Sequence, residues 1–592
     1  MVATTLQAVC SSQWTTDIIA AIRGYDKHLL VVSGNIYDLV LFGEHRLNTL
    51  EEFIESLSSR VFDFYLQYNI STGPKLSRGD ADEFLNLLGV SQDGMSEEDI
   101  EIATSAGIGF EIPRDPSELF PRLTKFFERS DKRTLFVMQY ADSLLGCDTG
   151  VSSVNEKALN VAVKEWARSR QIQENGHVIL ILTKHAEDLD TSILDRDVGT
   201  YQLRIPKPDL EARRFFLESL NVDVGELEIV SKITAGLSLK AIESIVQNDD
   251  GRALTERVFV SKRQFLEEDY GDILKVMNPK WGFDCIGGLK RQVAELKRIA
   301  KKMNSGQYDK VPMGILFTGP PGTGKTVAGE ALAKEMNVNM VSPGAIRSKG
   351  VGDTERFHRK FINGCIDMAP VIIWVDEVDN ALGRRDDHDG SGGVERRIMQ
   401  KNLEVMSDTS LRGKLLWIGA TNVPQFMDVA MLRPGRFSLR MCFFPPNAEE
   451  REAICKAIIN KYPEIKTNVK NWKKFAELTE GRNGADIESI IVEHAWIHAD
   501  NAGRDEMISK DVEWAIDDFI PQEVRKGQIN EMLLAGIRTC SSKSLLPDNW
   551  QKIMKSMTKQ TKQGLPQECC GHSSDIPDLG YVLEDDIEKE KK

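Results

Sequence analysis

The chain has 592 residues, 75 Lys and Arg against 90 Asp and Glu, and a formal net charge of −15. That length exceeds one hydrophobic core and suggests about three or four domains, and the acidic balance argues against a general nucleic-acid binder, whose affinity rests on basic surface. Nine cysteines, an odd number without paired spacing, exclude a disulfide framework and read as core residues and free thiols of a reducing compartment. Met1 to Asp17 shows no basic region followed by a long apolar core, and no apolar stretch of roughly 18 residues occurs. The expectation is a cytoplasmic protein without a membrane span.

In chain order, residues 1–250 carry apolar runs at Leu29 to Val32, Thr134 to Met138 and Val178 to Leu182, then Ile205-Pro206-Lys207-Pro208-Asp209. Short apolar runs alternating with helical patterns imply parallel strands covered by helices. Residues 251–280 read as a charged helical connector. The second half repeats the order: a strand and Gly-rich loop at Gly314 to Thr326, strands at Val371 to Val375 and Leu415 to Gly419, then Phe443 to Asn447. Glu-Ser-Ile recurs at residues 243–245 and 488–490, closing similar helical stretches. These parallels predict two copies of one α/β module, each with a helical lid; two unrelated α/β domains are the alternative. The predicted division is 281–445 for a large subdomain, 446–525 for its lid and 526–592 for a C-terminal extension ending in a charged tail.

The chemistry lies in the second half. Gly319-Pro320-Pro321-Gly322-Thr323-Gly324-Lys325-Thr326 is a phosphate-binding loop between a buried strand and a helix. Its glycines bring bare N–H groups onto phosphate oxygens, Lys325 reaches the β- and γ-phosphates, and the Thr326 hydroxyl ligates Mg²⁺. Fifty residues on, a buried strand delivers Asp376 and Glu377 to its C-terminal edge. Asp376 is expected to bind Mg²⁺ and Glu377 to polarise the attacking water. Asn422 follows the next strand, placed to orient water or contact the γ-phosphate. Arg433 and Arg436 flank a stiff Pro-Gly turn and suit charge on a transferring phosphoryl group.

With Ile286-Gly287-Gly288-Leu289 and Gly484-Ala485-Asp486, this ordered set resembles the AAA+ ATPases from about Trp281 to Ile497, close to the AAA clade in the narrow sense. The resemblance implies an ATP- and Mg²⁺-dependent ATPase. It places Ile286 and Gly287 at the adenine and Gly484-Ala485 on the lid side. It also implies a homo-oligomeric ring, usually a hexamer, with Arg433 and Arg436 acting on the next subunit.

The first half lacks this kit: Ser33 to Asp38 stands for the loop, Gln139-Tyr140-Ala141-Asp142 for the acidic pair and Thr183-Lys184 for the Asn. A degenerate module that does not hydrolyse ATP is expected, as in the plastid- and cyanobacterial-type AAA proteins that the whole arrangement resembles. Lys349-Gly350-Val351-Gly352 stands where AAA unfoldases carry an aromatic pore loop, so a loop without that ring grips polypeptide poorly. Ser438 replaces the acidic residue usual after the second arginine. The insert Asp386 to Gly393 lacks the closing Glu of an EF-hand and reads as a mobile loop; Cys569-Cys570 with His572 lacks a fourth ligand and reads as tail. The sequence points to an ATP-hydrolysing remodeller of an unknown protein client. A nucleotide-gated scaffold and a nucleic-acid accessory factor are the alternatives.

Overall fold

The computed structural model describes residues 13–23, 27–42, 45–47, 49–59, 61–90, 111–146, 154–195, 197, 199–271, 273–343, 351–381, 392–520 and 526–564. Lys349-Gly350, most of the insert Asp386 to Gly393, the Cys569-Cys570-His572 group and the end from Glu584 lie outside the described residues.

The first module is built on β1 (Leu29–Gly34), a short hairpin β2 (Val40–Phe42) and β3 (His45–Leu47), then β4 (Phe64–Asn69), β5 (Gly73–Arg78), β6 (Thr134–Met138), β7 (Val178–Thr183) and β8 (Tyr201–Ile205). The second uses β9 (Leu274–Met277), β10 (Gly314–Thr318), β11 (Asn339–Pro343), β12 (Val371–Val375), β13 (Leu415–Thr421) and β14 (Phe437–Cys442), with a lid pair β15 (Lys466–Thr467) and β16 (Glu506–Met507). The main sheets run β8-β1-β7-β6-β4-β5 and β14-β10-β13-β12-β11-β9. Each is parallel except for one edge strand, β5 on β4 and β9 on β11. Two copies of one module would give the shared order of the five parallel strands; the antiparallel edge differs, since β5 follows β4 in the chain whereas β9 precedes β10. A backbone detail repeats as well: the second residue after β6, Tyr140, has φ 51°, and the second after β12, Glu377, has φ 45°.

The central strands are buried on both faces, which is why they read as continuous apolar runs. In β12, Val371, Ile373 and Val375 join one core with Leu415 and Trp417, while Ile372 and Trp374 join the opposite core with Leu416 and Ile418. Polar caps start the lid helices: Asn447 and Asn483 form capping boxes with Glu450 and Asp486, and Ser238 caps the corresponding helix of the first module.

The segment expected as a purely helical connector is corrected. Helix Leu254–Tyr270 forms, but Leu274–Met277 then adds to the second sheet as its antiparallel edge. Four residues with only Leu274 and Val276 as buried alternating positions are too short for a periodic signal. The helix also belongs to both modules, with Leu254 and Val258 in the first lid's core and Leu266 and Tyr270 in the core under the second sheet. In the C-terminal extension, helix Lys526–Thr539 packs on β14 and helix Trp550–Gly564 packs on that helix: Leu533 and Ile537 cover Cys442, and Arg440 Nε donates to Thr539 O at 2.7 Å.

Candidate active site

The phosphate loop joins β10 to helix Lys325–Met336. Its conformation requires glycine at two points. Gly319 has φ 137° and a Cβ there would meet Phe443 O at 2.3 Å; Gly322 has φ 73° and a Cβ would lie 2.5 Å from the Asn483 side chain. The lid closes on this loop, with the N–H groups of Gly484 and Ala485 donating to Gly322 O at 3.0 and 3.3 Å.

Lys325 Nζ donates to Gly319 O, Pro320 O and Asn422 Oδ1, each at 2.8 Å. Burial is the main influence on this amine and depresses its pKa to about 8, with Asp376 opposing. Thr421 Oγ1 donates to the buried Asp379 at 2.7 Å and accepts from Val423 N–H at 3.0 Å, which fixes the turn that presents Asn422. Asp376 and Glu377 stand exposed past the end of β12, and Glu377 N–H donates to Asp376 Oδ1 at 3.0 Å. Glu377 holds a left-handed backbone, as Tyr140 does at the matching turn of the first module.

One cleft of about 390 Å³ gathers these groups. Of the residues expected from sequence, Ile286, Gly287, Pro321, Gly322, Thr323, Gly324, Lys325, Thr326, Asp376, Glu377, Asn422, Gly484 and Ala485 line it. Gly319 and Pro320 sit behind the loop and contribute carbonyls to Lys325. Arg433 and Arg436 do not line the cleft of their own chain. Arg433 is exposed, whereas Arg436 donates to Ala430 O at 2.6 Å and to Ser407 Oγ at 3.1 Å.

Sequence reasoning missed the wall opposite the phosphate loop, formed by Ile454, Ala457, Ile458, Lys461 and Glu488 of the lid. Lys461 Nζ lies 2.6 Å from Glu488 Oε1, and the Tyr462 hydroxyl donates to the same oxygen at 2.7 Å. Burial works against the Lys461 ammonium, but its bond to Glu488 outweighs this and raises its pKa. Glu488 opens the recurring Glu-Ser-Ile, but that repeat does not point to the cleft, and only the lid's fold unites these residues.

The corresponding place in the first module is filled from within. Asp38 is buried and accepts from Asn35 Nδ2, from Leu39 N–H and from the first N–H groups of helix Leu239–Gln247, at Leu239 and Lys240, over 2.7–3.0 Å. A carboxylate thus holds this lid's helix start, where in the second module Gly322 O holds Gly484 and Ala485.

A doubly wound, mostly parallel sheet, a Gly-rich loop after its first parallel strand, carboxylates at the edge and a helical lid over the cleft define a P-loop nucleotide-binding module. Residues 315–444 match the ATPase family associated with various cellular activities (AAA), and residues 11–206 match the AAA+ chaperone N-terminal Rossmann-like domain. The chain is 31% identical over 327 residues to the proteasome-activating nucleotidase of Methanocaldococcus jannaschii, covering 52% of this chain and 75% of that protein. It is 34% identical over 272 residues to the 26S proteasome regulatory subunit 10B homolog A of Arabidopsis thaliana, covering 44% and 65%. To the cell division cycle protein 48 homolog of Archaeoglobus fulgidus it is 33% identical over 242 residues, covering 40% of this chain and 32% of that relative. The chain belongs to the AAA family of ATPases, and it spans about a third to two thirds of the length of the last two relatives. Among the described residues, no helix is long and apolar enough to cross a membrane.

Proposed function

We propose that the chain binds and hydrolyses ATP in this cleft, and that it works as a ring-forming cytoplasmic remodeller of a partner protein complex. The observation that carries the reading is the convergence of Lys325, Thr326, Asp376, Glu377 and Asn422 on one cleft whose far wall is the lid. Lys325 supplies positive charge to the transferring phosphoryl group, and Asn422, bonded to Lys325, fixes its direction. Glu377 takes the proton of the attacking water. The Thr326 hydroxyl and the Asp376 carboxylate are hard oxygen donors on the same cleft and suit Mg²⁺, which when bound neutralises phosphate charge.

Arg433 and Arg436 act on a neighbour's cleft in this reading, which fits their absence from their own. Residues 1–250 serve as a non-hydrolysing module, 281–445 and 446–525 as the motor and its lid, and 526–592 as an extension. The missing kit of the first module supports kinship with plastid- and cyanobacterial-type AAA proteins. A second reading, a nucleotide-gated scaffold with slow hydrolysis, draws support from the ties between the first module and helix Val351–Asp367, such as Lys360 to Asp188 at 2.6 Å.

ATP turnover per chain, measured against protein concentration, tests the proposal. Turnover that rises as subunits assemble is expected; turnover indistinguishable from buffer at every concentration would sink it.

A further inference from the structure

The cleft has two ends of different chemistry. Gly322 to Thr326, Asp376 and Asn422 make the phosphate end. At the other, Ile286, Ile454, Ala457 and Ile458 offer apolar walls of the kind that sandwich a planar ring. The acidic and basic lid side chains on that wall are Glu450, Lys461 and Glu488. Glu450 is committed elsewhere, its Oε2 accepting Asn447 N–H at 3.0 Å in the capping box. Glu488 differs. Lys461 Nζ and the Tyr462 hydroxyl both bond to Oε1, and Oε2 takes part in neither bond. Tyr462 is itself packed by Trp281, ring centroids 6.1 Å apart. Glu488 lies one turn beyond Gly484 and Ala485, whose N–H groups grip Gly322 O, so its reach from the phosphate loop is set by the helix.

We infer that Glu488 reads the six-position of a purine base, its Oε2 accepting from an exocyclic amino group, so that the cleft selects 6-amino over 6-oxo purine nucleotides. This deepens the proposed function and rests on it. An amino group at that position donates to the carboxylate; an oxo group there sets lone pair against lone pair, and a 6-oxo purine has to shift in the cleft to offer its N1–H instead, so the amino purine is favoured. Lys461 and Tyr462 are positioning residues, since they hold Oε1 and thereby aim Oε2.

The test uses the full chain and two probes that differ at the six-position, ATP and ITP, with Mg²⁺ present and dissociation constants measured by calorimetry. Wild type should favour ATP by at least about tenfold, the lower range for a hydrogen bond to a charged group because Glu488 is partly exposed. Glu488→Ala should bring the ratio close to one, chiefly by weakening ATP. The isosteric Glu488→Gln, which disturbs the lid least, should narrow the ratio without abolishing binding, and Lys461→Met should narrow it in part. A ratio near one in wild type overturns the inference, as does a Glu488→Ala protein that loses affinity for both nucleotides equally. Wild type that binds neither nucleotide would instead remove the proposed function itself.

Discussion

Arg204 Nη2 lies 2.6 Å from Asp367 Oδ2, and this pair ties the last strand of the first module to the end of helix Val351–Asp367 in the second. Asp367 is almost fully buried and also accepts from the Tyr270 hydroxyl at 3.0 Å, while Arg204 Nη2 reaches Asn363 O at 3.3 Å. The same helix meets the first module at Lys360 with Asp188 and at Asn363 with Glu187. It leads directly to β12, which is followed by Asp376 and Glu377, so the first module grips the element that feeds the acidic edge.

Arg204→Met should therefore destabilise the protein by about 2 kcal/mol, less than the ~3–5 kcal/mol of a fully buried pair because Arg204 is 32% exposed. Burial holds the Asp367 carboxyl above the usual carboxylate range, with Arg204 opposing. A raised folded value means that stability is fullest in acid and is lost as pH rises through that value. Without Arg204 the carboxyl rises further, so the variant's deficit should be small in acid and grow toward neutral pH. Thermal unfolding as a function of pH checks this, and Asp367→Asn in the same background should recover much of the loss.

Asp38→Ala should release the first module's lid. Leaving the N–H groups of Leu239 and Lys240 without the carboxylate costs about 2 kcal/mol. Hydrogen exchange on the full chain should speed up at the start of helix Leu239–Gln247 and stay unchanged at Gly484 to Ser489. Equal change in both lids would contradict separate latches.

Cleft residues and latches were not equally legible in the sequence. The phosphate loop, Asp376, Glu377 and Asn422 could be read because each follows a short apolar strand and the chemistry fixes residue types at local spacing. Lys461 and Glu488 could not, being 27 residues apart on different lid helices and joined only by tertiary packing. Nor could Asp38, whose lid partners lie about 200 residues away. The connector was misjudged for a related reason: Leu274–Met277 is a strand because β11 offers it an edge, not because its four residues insist on it.

The two arginines should separate activity from stability. If Arg433 acts on the next subunit's cleft, Arg433→Ala should lower turnover by at least about 10³-fold, the usual worth of an arginine supplied to phosphoryl transfer, and because it is exposed unfolding should be unchanged. Arg436 holds Ala430 O and Ser407 Oγ, so Arg436→Ala should lower turnover and also destabilise by roughly 1–2 kcal/mol. Steady-state ATPase assays beside thermal melts resolve the two.

Lys325 gives the nucleotide site a pH dependence. Its amine, depressed by burial to about 8, is charged below that value and neutral above it in the free protein. Affinity for ATP should fall as pH rises through about 8, and binding near that pH should take up a proton. Lys325→Arg, with a group that stays charged, should flatten the profile even if it binds more weakly. Calorimetry in buffers of different ionisation enthalpy measures both.

The proposed ring completes the nucleotide cleft of one subunit with arginines of the next. Its most direct test is the mass of the Glu377→Gln protein in solution with and without ATP and Mg²⁺, by sedimentation. The substitution removes the proposed base but keeps the phosphate loop, so ATP should be held and a closed ring should form when it is added. A monomer or dimer under both conditions would leave Arg433 without a cleft to serve and would contradict the account.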